Sequence, residues 1–415
     1  MAPFRKDHAP PSAFLTGVRG LAASASALTA ASGAHKVAMF VMKARVGHLG
    51  GADALGALTS VLTVTWMIAA LSHLGLPDQA MVRAAVPDED PDARARARHS
   101  IFLGTAALAL VAALMITVPS ASDPWLAASL VVGAIAQHAS SVALQTLRGL
   151  ERPGLESSAL GLAAALLIGG AWLANEPRHV AASYLAQGGV FVGALVLGAI
   201  ALPSLRPVWP SARGVLDEVR RSLPIFVVGV TGFGLGNADV ILTRLALGDV
   251  AVGELSCATM VVRTGFQVPW VIGTLALARA RDAGPTRMRL VAMLAGVSLL
   301  VAIGASIAAL LAGELTSRAL GVPLADFEDA LWVAAWLAPA AYVAVVMLPL
   351  GMALALQDTV KVTLAAFAVT MALGLSLARP MGLSGVQIGY AVGHLALAVG
   401  LAIALARVRR AEGRT

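Results

Sequence analysis

Charge is scarce in this chain. Asp, Glu, Lys and Arg together make up 13% of its 415 residues, where a water-soluble protein of similar size carries about a quarter. Cysteine is nearly absent as well. Cys257 is alone, so no disulfide closes within the chain and cysteine usage says nothing about redox compartment. There is no Gly-rich loop ending in Gly-Lys-Ser or Gly-Lys-Thr, which excludes a Walker-type nucleotide site. What fills the space left by charge is apolar: 58% of residues are hydrophobic and the mean hydropathy is +0.81. Apolar stretches of about 20 residues, each long enough to cross ~30 Å of hydrocarbon as a helix, recur along the whole length. The fold class expected is an all-α polytopic membrane protein.

Apolar blocks between charged or Pro/Gly-rich breaks give twelve spans: 20–42, 54–76, 100–119, 125–147, 156–174, 180–202, 223–243, 253–278, 290–312, 329–351, 360–378 and 384–406. An even number places both termini on one side. Lys and Arg are distributed 22 on that terminal side against 6 on the other, with Lys36 and Arg263 inside spans. The positive-inside rule then makes the termini cytoplasmic, and the net charge of +7 reflects topology, with no nucleic-acid partner required. The organisation expected is a disordered tail (1–17), a six-helix bundle (18–202), a basic linker (203–222), a second six-helix bundle (223–406) and a basic tail (407–415). Abundant Ala and Arg point to a bacterium with a GC-rich genome, and so to its cytoplasmic membrane.

The two halves repeat each other. MKARVGHLGGADALGAL (42–58) echoes ILTRLALGDVAVGEL (241–255), with Arg45 falling on Arg244 and Gly56 on Gly253. Parallel repeats about an axis along the membrane normal are a common transporter plan, with the cargo site between the halves. ARVGHLGGADALGAL, LSHLGLPDQAMVR (71–83), LQTLRGLERP and RRSLPIFVVGVTGFGLGNADVILTRLALGDVAVGEL together resemble the polysaccharide-transporter branch of the multidrug/oligosaccharidyl-lipid/polysaccharide (MOP) flippase superfamily. That branch contains O-antigen and capsule-unit flippases, and its relatives include the multidrug and toxic-compound extrusion (MATE) transporters. The loop GHLGGAD (47–53) departs from the family by being longer than its usual turn. The resemblance implies two six-helix bundles around a central cavity that opens alternately to each side, without cofactor or enzymatic activity.

A charge near mid-bilayer costs roughly 2.5–3.5 kcal/mol on insertion scales, so it persists beside a partner or a watery cavity. Arg263 lies about ten residues into span 8, with Gln267 one turn on, and its repeat equivalent is Trp66. His35 and Lys36 occur in a span rich in Ala, Ser, Thr and Gly. These four are the expected cavity residues for an anionic headgroup, since Arg pairs with phosphate oxygens in a planar fork. Asn237 and Asp239 interrupt span 7: either both sit at the outer interface, or Asp239 offsets Arg263 or Lys36 or carries a coupling proton. Gly229, Gly232, Gly234 and Gly236 around them read as close helix packing. His138 and His394 near mid-depth read as donors to a neighbouring helix or as titratable coupling groups.

The deep residues are mostly basic, and span 1 lacks the acid typical of the MATE relatives. The function expected is therefore a flippase moving a polyprenyl-diphosphate-linked oligosaccharide or related anionic lipid from the inner to the outer leaflet. Membrane lipids are its other partners, and protons or sodium its coupling ion. A MATE-type multidrug or cation antiporter is the alternative. An enzyme would need paired acids on sizeable outer loops; the longest, 313–328, offers Glu314, Asp326 and Glu328 without such a pairing.

Overall fold

The computed structural model describes residues 11–412 apart from 78, 81–90, 120, 122, 150–153, 202–205, 207, 210 and 277–286. Every regular element among the described residues is helical, as hydrocarbon requires, since a helix satisfies its backbone groups within one segment. Spans 1 and 2 form one stretch, Pro11–Ser72, broken at Gly51 (φ 68°, ψ −165°). That conformation suits a residue without a Cβ. The expected loop at 47–53 is therefore a one-residue hinge between helices 11–50 and 52–72. Of the expected tail, residues 1–10 lie outside the described part and residues 11–17 are helical.

Span 3 is Pro91–Thr117, span 4 Pro124–Ala139 continued by Ser141–Gly149, span 5 Gly154–Leu173 and span 6 Pro177–Ala201. Span 7 begins early, as Ala212–Gly236, so residues 212–222 of the linker stretch are its first turns. A 54° bend then separates it from Ala238–Leu247. Span 8 is Asp249–Gly265 followed by Gln267–Leu275, span 9 Arg287–Leu311 and span 10 Glu328–Leu354. Spans 11 and 12 share Leu356–Glu412, broken at Gly382 (φ 57°, ψ −138°). Of the expected basic tail, residues 413–415 lie outside the described part.

These twelve spans make two bundles. In the first, Pro11–Ser72 packs on spans 3 to 6, and span 6 packs on spans 4 and 5. Its core includes Met42, Leu58, Leu130, Leu167 and Tyr184. In the second, span 10 packs on span 9 and on Leu356–Glu412, which also covers both parts of span 7. Leu294, Val346, Leu350, Leu397 and Leu401 lie at its centre.

The bundles meet where the repeat is clearest. A Cβ on Gly56 would lie 2.0 Å from the carbonyl oxygen of Asp249, and one on Gly253 would lie 2.2 Å from that of Ala52. The contact is reciprocal: each glycine receives the carbonyl four residues before its own counterpart. Small residues here let two backbones touch where lipid supplies no hydrophobic drive to association. Three residues further along each helix, Ser256 Oγ donates to Thr59 Oγ1 at 3.1 Å. Thr59 and Ser256 are 197 residues apart, as are Gly56 and Gly253. The pseudo-twofold axis therefore runs between that pair.

Near this crossing Ser60 Oγ donates to Asp249 Oδ1 at 2.9 Å. On the terminal side the bundles touch again. A Cβ on Gly75 would lie 2.6 Å from Phe226 N, and Arg98 on span 3 pairs with Glu218 on span 7 at 3.6 Å.

A side chain at Gly56 has no room while the crossing is closed. Gly56→Val is expected to destabilise the closed form by about 1–3 kcal/mol, the usual effect of overpacking. Cys257, 1% exposed and packed with Leu55 near the crossing, reports on it. Its maleimide labelling in detergent should rise severalfold in the variant, whereas unchanged labelling would show that the crossing yields.

Candidate functional site

Between the bundles lies a chamber of about 540 Å³. Span 1 gives it one stripe, Ser32, Lys36, Met39 and Lys43, at intervals of three and four residues that repeat a helix face. Span 2 faces it with Thr59, Leu62, Thr63 and Trp66, and span 8 with Arg263 and Trp270. Lys43 was expected in the loop after span 1. It lies in the wall because the helix runs on to residue 50, which places Lys43 two turns beyond Lys36. The signal was present as their seven-residue spacing, hidden by the glycines that follow. Among the described lining residues, Lys36, Lys43 and Arg263 stand against one carboxylate, Glu156. His35 is buried at the edge of the wall. Its Nε2 is 2.9 Å from Gln187 Oε1, and Gln187 donates to Gln137 Oε1 at 3.4 Å, tying spans 1, 6 and 4 together.

The bend in span 7 explains Asn237 and Asp239. Asn237 ends the first helical segment, and its Nδ2 donates to Phe233 O at 3.0 Å, the carbonyl that its own backbone N–H also reaches at 3.1 Å. Asp239 falls in the first turn of the next segment, where the exposed N–H groups and helix dipole favour a negative charge. It is wholly buried and forms an ion pair with Arg263 Nη2. It also accepts a hydrogen bond from Gln387 Nε2 at 3.1 Å.

Behind the pair is a void of about 20 Å³ lined by Asp239, Arg263, Gln387 and Tyr390, enough for one water. Tyr390 Oη is buried there without a hydrogen-bond partner among the described residues. Arg263 borders both spaces: its side chain is 27% exposed, toward the chamber, while it holds Asp239 on the other side.

A second cavity of about 410 Å³ adjoins the first, sharing Trp66, Gln145, Phe233, Asn237 and Trp270 and adding Phe226, Phe266, Leu348 and Met352. Gly229, Gly232 and Gly236 line it; Gly232 also packs as expected, with Leu348 3.0 Å from where its Cβ would lie, while a Cβ on Gly236 would meet nothing within 4 Å. Gly234 packs too, with Phe367 3.0 Å from where its Cβ would lie. The missing side chains keep this cavity open.

The remaining expected residues are not brought to the chamber. His138 is buried and stacks on His73, ring centroids 3.5 Å apart and planes within 3°. His394 Nδ1 is 2.9 Å from the carbonyl of Tyr390 on its own helix. The Gln267 side chain lies outside the described part. His73 was missed because its stacking partner lies on another span, a contact that sequence spacing does not encode.

Removing one partner of a buried pair leaves a stranded charge, which costs about 3–5 kcal/mol. Arg263→Ala is expected near the low end, about 3 kcal/mol, because part of its side chain meets the chamber. Thermal unfolding in detergent checks this. Adding Asp239→Ala should recover most of the loss, and a single variant as stable as the parent would refute the pairing.

No family model and no curated protein matches the chain. Solved structures do. The eukaryotic MATE transporter AtDTX14 superposes with a TM-score of 0.71 at 14% identity, covering 97% of this chain and 99% of its own. A multidrug resistance MATE family transporter of the MOP superfamily in an outward-facing conformation gives 0.70 at 17% identity, covering 95% and 96%. A MOP superfamily transporter from Pyrococcus furiosus, described as having a binding pocket of reverse polarity that suggests different function, gives 0.69 at 15% identity, covering 95% and 96%. The likeness is one of fold: this multi-pass membrane protein has the architecture of the MATE transporters, twelve helices in two bundles.

Proposed function

We propose that the chain is a secondary transporter, not an enzyme, and that it carries an organic anion across the membrane by alternating access of the chamber between its bundles. The fold supports the transporter part. Of the two functions expected from the sequence, the MATE neighbours favour the extruder type over the flippase of lipid-linked oligosaccharides. The chamber then selects the cargo. The observation that carries the reading is the sign of its wall, with Lys36, Lys43 and Arg263 against Glu156. A cation entering there would meet a net positive field in a space of low dielectric, where such repulsion is strong. An anion meets three donors of positive charge from two bundles, spans 1 and 8. A binding pocket of reverse polarity that suggests a different function is also what is described for the Pyrococcus furiosus neighbour. A lipid-linked diphosphate belongs to the same chemical class, while the extruder-type neighbours favour a smaller organic anion.

The membrane proposed is the bacterial cytoplasmic membrane with cytoplasmic termini. Moving Lys43 from the opposite side into the chamber sharpens the charge bias on which that orientation rests.

Uptake of a fluorescent sulfonate into proteoliposomes tests the reading. Lys36→Gln and Lys43→Gln are each expected to weaken apparent affinity by roughly tenfold, about 1.4 kcal/mol, with a quaternary ammonium dye not carried by the parent. Carriage of the ammonium dye, with the lysine variants improving it, would overturn the anion reading.

A further inference from the structure

Resting on that reading, we infer that Arg263 couples the cargo to a proton: an organic anion in the chamber and a proton on Asp239 are taken up together. Arg263 is shared. One guanidinium nitrogen holds Asp239 in the closed space behind the chamber, while the exposed part of the side chain forms chamber wall. An anion in the chamber and the Asp239 carboxylate compete for the same five N–H donors. Lys36 and Lys43 face the cargo from span 1 and are not among the described residues that line the void beside Asp239.

When the guanidinium turns to the anion, Asp239 keeps a hydrogen bond from Gln387 and loses its cation. A wholly buried carboxylate without a counter-charge is costly, and a proton removes that cost. The surroundings suit the neutral acid. The void has room for one water, and Tyr390 Oη, 7% exposed as a residue and without a partner among the described residues, borders it. It gives the new O–H an acceptor directly or through that water. Span 12 also places His394 within electrostatic reach of Asp239 and Arg263. Span 10 contributes only alanines and a leucine to the void, and the residues of span 11 packed near this part of span 7 are apolar, Met371 and Ala378.

Charge balances. The empty site holds Arg263⁺ and Asp239⁻; the loaded site holds Arg263⁺ with the anion and Asp239 as a carboxylic acid. One anion and one proton have entered and no net charge has been added. In a cation carrier, cargo and proton compete for an acid, so one drives the other out. With the wall charge reversed the coupling reverses sign, and anion and proton travel in the same direction. With the outer side more acidic that direction is inward, opposite to the inner-to-outer movement expected from the sequence.

Calorimetric titration of the purified full chain with naphthalene sulfonate, which stays charged throughout, tests this in buffers of different ionisation heat. The expected result is uptake of about one proton per sulfonate bound and an apparent affinity rising about tenfold for each pH unit lowered through the titrating range, by linkage. Asp239→Asn should bind the sulfonate with no proton uptake and, at high pH, more tightly than the parent. Parent and His394→Gln should give the same stoichiometry. Sulfonate binding to the parent without proton uptake, or uptake that survives Asp239→Asn and vanishes in His394→Gln, would overturn the inference and leave the anion reading standing. No sulfonate binding at any pH would overturn both.

Discussion

A carboxylate that water cannot reach must be answered by a cation, and around Asp239 the structure is arranged to supply one. The break after Gly236 gives the acid the first turn of a new helix, and Arg263 crosses from span 8 to meet it. Neither residue is tolerable alone at that depth. Because the pair is needed, the two spans are held in one register, and the cation is held at the boundary between a closed void and the chamber. The chamber's charge, its place between the bundles and its link to a titratable group all follow from that position.

Symmetry gives this arrangement its frame, and the departure from symmetry gives it chemistry. Gly56 and Gly253 receive each other's neighbouring carbonyls, and Thr59 meets Ser256 on the axis itself. Two turns further on, the repeat places Trp66 opposite Arg263, both in the chamber wall. At these equivalent positions an aromatic ring faces a guanidinium, while Lys36 and Lys43 add positive charge on the side of the ring. A backbone crossing this tight has few intermediate positions, because a close-packed contact is made or broken and does not stretch. Such a crossing suits a gate that opens as a unit.

The bilayer made much of this legible in the sequence. Twelve apolar blocks and a one-sided distribution of Arg and Lys gave the span count and the two halves, since hydrocarbon admits few other structures. Arg263, Asp239 and Lys36 stood out because a deep charge is rare. What stayed hidden was of two kinds. Lys43 was assigned to a loop because Gly47, Gly50 and Gly51 read as a turn, whereas only Gly51 leaves the helical conformation. Gly236 reads as packing in the sequence because a missing side chain marks a close neighbour and an open cavity equally well. The stacking of His73 on His138 belongs to tertiary structure alone. The flippase reading rests on the basic deep residues and on order and pattern resembling one branch of a superfamily, whereas the solved structures that superpose on the fold include MATE transporters.

The sign of the chamber is the centre of the proposed function, and it is directly measurable. Equilibrium binding of two naphthalene derivatives of equal size, one carrying a sulfonate and the other a trimethylammonium group, would be compared on the purified protein near neutral pH. The sulfonate is expected to bind at least about tenfold more tightly, about 1.4 kcal/mol, with the difference shrinking when Arg263 is replaced by Gln. Tighter binding of the trimethylammonium compound would contradict it and return the protein to the alternative expected from its sequence, a MATE-type cation antiporter.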